Sequence, residues 1–92
     1  MRIVGEIPHP TLKITIFLHD SKYAIKFEAG LYEQTYKFRS GDEISSVEDI
    51  KTIVDDTFIN QVQAALPLMH QHKLEALGRR REETEDEFDV II

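Results

Sequence analysis

From Thr11 to His19 apolar and polar positions alternate. Leu12, Ile14, Ile16 and Leu18 share one side, and Thr11, Lys13, Thr15, Phe17 and His19 share the other. Period two in β-branched company is the pattern of a half-buried strand. It recurs over residues 22–29, with Tyr23, Ile25, Phe27 and Ala29 on the apolar side. A two-residue loop at Asp20-Ser21 would set Leu18 against Tyr23, Ile16 against Ile25, Ile14 against Phe27 and, on the other side, Lys13 against Glu28. Every pair is chemically compatible, so a hairpin is predicted. A turn at Ala29-Gly30 leads into a third segment whose apolar side is Tyr32, Gln34, Tyr36 and Phe38. Its predicted register sets Phe27 against Tyr32, Tyr23 against Tyr36, Lys26 against Glu33 and, unfavourably, Lys22 against Lys37. Upstream, the segment RIVGEI supplies a further edge strand, held apart by Pro8-His9-Pro10, whose prolines have no N–H to donate.

The period changes after residue 45. Ser45 with Glu48, or Ser46 with Asp49, offers a helix N-cap and an acid at the positive end of the helix dipole. Val47, Ile50, Val54, Phe58, Val62, Ala65 and Met69 then recur every three or four residues, the stripe of an amphipathic helix. Asp55-Asp56-Thr57 can cap a second helix, so a short helix to about Val54 followed by a longer one stands beside a single rod. Pro67 predicts a kink or break, and Gly78 a helix end. The predicted fold is α+β: a three- to four-stranded antiparallel β-meander followed by a C-terminal helical segment packed on one sheet face. Residues 1–78 are its single domain and residues 79–92 a charged, flexible tail.

Element lengths add a consequence. A rod from Ser46 to Leu77 is about 50 Å long at 1.5 Å per residue, whereas the strands reach only about 30 Å. Apolar positions on the overhang must fold back at Pro67 or pack on a second subunit. Phe58, Val62, Leu66, Met69, Leu74 and Leu77 are therefore the expected homodimer surface.

Composition points the same way. A chain of 92 residues buries only about 60% of its unfolded surface, and with no cysteine there is no disulfide to compensate. Neither a signal-peptide core nor a run of about 20 apolar residues is present, so a cytoplasmic protein with no membrane partner is expected. The net charge of -6 is uneven: residues 1–40 carry six Lys/Arg against four acids, and residues 41–92 five against thirteen. This argues against DNA binding by the whole surface and leaves a local basic face or self-association of unlike halves.

Candidate chemistry is sparse. Of His9, His19, His70 and His72, the last pair is two residues apart, about 200° around a helix, unlike the four-residue spacing of helical zinc pairs. The chain has no cysteine nucleophile and no G-x-S-x-G elbow, and its four glycines are scattered. No catalytic residue, metal or cofactor is expected. The reading is a small non-enzymatic interaction or adaptor module.

The alternative lies on the outer sheet face, where Lys13, His19, Lys22, Lys26, Lys37 and Arg39 surround Phe17. Cations for phosphates and a ring for bases are what single-stranded nucleic acid requires. An antiparallel meander followed by a helix also resembles, in topology, PUR-type single-strand-binding domains, which implies the same use of this face. Glu28 and Glu33 dilute the patch, and Phe17 is expected to be covered by a partner layer or a tail.

The end of the chain, EETEDEFDVII, places an apolar cluster after an acidic run. Arg79 with Glu83 and Arg81 with Glu85 allow a helix through the charges, with no apolar stripe beneath them; an extended linker is equally consistent. Phe88, Val90, Ile91 and Ile92 are then candidates for adding a strand to a sheet edge or for docking into another protein.

Overall fold

In the computed structural model, which describes residues 1–39 and 43–91 with side chains through Arg81, four strands form one antiparallel sheet. They are β1 (Arg2–Ile7), β2 (Lys13–His19), β3 (Lys22–Ala29) and β4 (Tyr32–Phe38), in the order β1-β2-β3-β4. Two helices follow, α1 (Val47–Ile53) and α2 (Asp56–Ile91). This is the expected ββββα arrangement, an α+β fold with α2 packed against the sheet.

The β2-β3 hairpin has the predicted register at all four pairs. Asp20 and Ser21 both take positive φ, 48° and 62°, the backbone of a loop whose twist matches that of the flanking strands. The next hairpin differs from expectation by two residues. Gly30, at φ 60°, occupies the first position of a Gly30-Leu31 loop, so Ala29 pairs with Tyr32, Ile25 with Tyr36 and Tyr23 with Phe38. A shift of two keeps every side chain on its predicted face. It also separates Lys22 from Lys37, which now lies opposite Ala24, and brings Glu28 opposite Glu33. The Lys26 ammonium relieves that acidic pair, at 3.1 Å from Glu28 and 4.0 Å from Glu33. Along β1 a bulge between Ile3 and Gly5 adjusts pairing to β2.

The core sits between the inner sheet face and the helices. Ile14, Ile16, Ile25 and Phe27 come from the sheet, Ile50 and Val54 from α1 and its C-cap, and Val62 from α2. Ile44, in the β4-α1 connection, also joins this core, outside any periodic pattern. Phe58 stacks on Phe27 with centroids 5.4 Å apart, and Tyr36 meets both rings edge-on at 5.1 and 5.9 Å. These contacts fasten α2 to β3 and β4.

Of the two N-cap alternatives, Ser46 with Asp49 is realised: the Ser46 hydroxyl accepts from the Asp49 N–H at 3.2 Å. The Asp49 carboxylate in turn accepts from the Ser45 N–H at 2.9 Å and its hydroxyl at 3.0 Å. The backbone bond from Ser45, then the hydroxyl bond, holds the Asp49 carboxyl below its ordinary value of 3.8. Asp55 caps α2 by accepting from the Phe58 N–H at 2.9 Å.

The rod is thus two helices, divided where the acidic cluster suggested. Pro67 lies inside α2 and does not break it, and the helix end expected at Gly78 is absent, since Gly78 does not take the positive φ of a helix-ending glycine. The backbone stays helical across the charged run to Ile91. At 36 residues α2 is about 54 Å long, twice the reach of the eight-residue β3. The longest dimension of the molecule is accordingly 62 Å, and its radius of gyration is 18.7 Å against about 12 Å for a compact chain of this length.

Candidate functional site

The first half of α2 belongs to the protomer's own core. Phe58, Ile59, Val62 and Leu66 pack against the sheet, and the Gln34 side-chain amide donates to the Val62 carbonyl at 2.9 Å. Further along, the Tyr32 hydroxyl and His70 Nδ1 lie 2.6 Å apart, and the Lys73 ammonium sits 5.5 Å above the Tyr32 ring. Tyr32 is the first residue of β4, so this contact marks the rim of the sheet. From Leu74 to Ile91, α2 continues for another 18 residues. There Leu74 is 51% and Leu77 39% exposed.

Six residues were expected to form one dimer surface, and the structure divides them. Phe58, Val62 and Leu66 are engaged by the sheet, Met69 is half-buried near the rim, and Leu74 and Leu77 project beyond it. Leu68, 55% exposed, is a separate position on the far side of α2. The sequence stripe is continuous, but its two ends meet different surroundings.

The outer sheet face is also divided. The Lys26 ammonium lies 5.4 Å over the Phe17 ring and pairs with Glu28. The Phe17 ring, half-buried, is thus met from within its own sheet by the Lys26 side chain. Long neighbours also bury two small residues on this face, Thr15 and Ala24. Lys13 lies opposite Glu28 in the β2-β3 register. Two lysines, Lys22 and Lys37, stand at the β2-β3 hairpin end, where with Met1 and His19 they line a cleft of about 150 Å³. Arg39 follows directly after β4. His19 lies 3.2 Å from the Asp20 carboxylate.

Of the remaining histidines, His9 closes a local turn. His9 Nδ1 accepts from the Thr11 and Leu12 N–H groups at 3.2 and 3.1 Å, closing the turn after Pro8 and placing a neutral ring's proton on Nε2. This bond was hidden in the sequence, because it depends on the turn that the two prolines impose. His72 is exposed. Among the described residues no three His, Asp or Glu side chains converge as metal ligands would. No described helix is long and apolar enough to cross a membrane. The candidate docking side chains of Phe88, Val90 and Ile91 lie outside those described, as does Ile92 altogether.

No protein family, curated protein or solved structure matches this chain. The fold defines a four-stranded meander carrying a helix that outruns it.

Proposed function

We propose that the chain is a small non-enzymatic interaction module, acting in the cytoplasm, that assembles as a homodimer through the part of α2 beyond the sheet. The observation that carries this reading is the pair Leu74 and Leu77, open to solvent on a helix that has left its own sheet behind. Leucines repeated on an exposed helical face are stabilised by a second apolar surface, and in a small homo-oligomer that surface is most simply the same face of another copy. Light scattering of the full chain at micromolar concentration tests the reading. A dimeric mass is expected, and a strictly monomeric one removes it. Docking of a different protein on the C-terminal residues is a separate adaptor use, read by capture of a partner on the full chain and not on one lacking Phe88 to Ile92.

A second reading rests on His19, Lys22 and Lys37, gathered at one end of the outer face. They suit weak, salt-sensitive binding of single-stranded nucleic acid through its phosphates. Because Lys26 is already paired with Glu28 and Phe17, the informative variant is Lys22→Glu/Lys37→Glu. It should abolish a low-salt shift of a labelled single-stranded oligonucleotide. No shift with the native chain at low salt ends this reading.

A further inference from the structure

The chain has three tyrosines, Tyr23, Tyr32 and Tyr36, and the fold gives one of them neighbours that set it apart. Tyr32 opens β4 directly after the Gly30-Leu31 loop, at the rim where α2 leaves the sheet. His70 and Lys73 stand three residues apart on α2, on neighbouring helix positions that both reach this rim. The Tyr32 hydroxyl lies 2.6 Å from His70 Nδ1, and the two rings meet edge-on at 86°. The Lys73 ammonium sits 5.5 Å from the centre of the Tyr32 ring. A hydroxyl in hydrogen-bond contact with a base is the arrangement of an activated nucleophile, and a nearby cation favours the negative charge that develops on the group under attack. We infer that Tyr32 is a covalent modification site, a nucleophilic acceptor for phosphoryl electrophiles with His70 as its general base.

In the step, the Tyr32 oxygen forms a bond to phosphorus, the bond from phosphorus to the leaving group breaks with its electron pair, and the phenol proton passes to His70 Nδ1. The neutral imidazole carries its own proton on Nε2, which leaves Nδ1 free to accept. The site takes up one group per chain and does not turn over. Tyr36 supplies the contrast. Its hydroxyl donates to Gln34 Oε1 at 2.7 Å, a bond of similar length to an amide that does not act as a base. At 38% Tyr36 is also the more exposed residue, Tyr32 being half-buried, and Tyr23 packs against the core. Exposure alone would therefore favour reaction at Tyr36, whereas the base favours Tyr32. All three groups of the site belong to one protomer, so the inference is independent of the homodimer reading.

The test treats the full chain at neutral pH with a dialkyl phosphorofluoridate, whose P–F bond breaks as the O–P bond forms and whose fluoride leaves with the electron pair. Peptide mass spectrometry follows the label at each residue over time. General-base assistance contributes about 10²-fold or more, so Tyr32 should be labelled at least ~10-fold faster than Tyr36 or Tyr23. His70→Gln gives Tyr32 the kind of acceptor that Tyr36 already has, a hydrogen bond without a base. His70 is exposed, and circular dichroism verifies that the variant keeps the native helix content. Labelling of Tyr32 in this variant should fall to about the rate of Tyr36. Equal rates at Tyr32 and Tyr36 in the native chain would overturn the inference. So would label on His70 or Lys73 with Tyr32 unmodified, and so would fast labelling of Tyr32 that His70→Gln leaves unchanged.

Discussion

Replacing both projecting leucines, in Leu74→Ala/Leu77→Ala, perturbs association with little expected effect on the protomer. Fully burying a leucine contributes about 1.5–3 kcal/mol relative to leaving it exposed. Leu74 is 51% and Leu77 39% exposed, so roughly half of that, about 1 kcal/mol each, remains to be gained on contact with a partner. A symmetric dimer counts each residue twice, giving about 4 kcal/mol in all, or roughly a 10³-fold weaker Kd at 1.4 kcal/mol per factor of ten. Alanine is the better helix former, so α2 should persist. Sedimentation equilibrium over a wide concentration range measures the change, with circular dichroism verifying the helix. A dimer whose Kd moves by less than about tenfold would refute the reasoning, since the leucines would then lie outside the interface.

Other predictions concern the platform that carries this helix. Phe58→Ala removes the ring stacked on Phe27 and met edge-on by Tyr36, and should cost about 3 kcal/mol in urea unfolding; a loss below about 1 kcal/mol would mean that α2 is not fastened to the sheet there. Gly5→Val should lower the urea midpoint, because even a Cβ at position 5 would lie 3.2 Å from Val47 Cγ1 and force α1 away from β1; an unchanged midpoint would contradict that close approach. The lowered carboxyl of Asp49 stabilises the fold above its ordinary value of 3.8, and that contribution disappears as pH falls through the still lower folded value. The stability difference between the native chain and Asp49→Asn should accordingly be constant near neutral pH and shrink only in acid; a difference that grows on acidification would reverse the assignment.

Much of the fold could be read along the chain because its causes are local. Alternation in β2 and β3 assigns sides, and with Asp20-Ser21 the complementary cross-strand pairs admit one sensible register. Caps at Ser46 and Asp55 divide the helices through short-range hydrogen bonds. The second hairpin was less legible, since Ala29-Gly30 and Gly30-Leu31 both place a glycine in the loop and give the same faces. The positive φ falls at Gly30 as first loop residue, and Lys26 then stabilises the acidic pair this creates.

Periodicity, by itself, determined that a single apolar stripe runs from Val47 to Met69, with leucines beyond it, and that the rod exceeds its sheet. Only the tertiary structure decided which leucines are spent inside the protomer, because burial depends on where Tyr32 closes the sheet rim against His70 and Lys73. The same holds for Phe17, over whose ring only packing brings the Lys26 ammonium. Gly78 misled for a related reason: glycine is a frequent helix terminator, yet here the backbone passes through it as helix. Local patterns select local geometry, while exposure is settled by what the rest of the chain leaves uncovered.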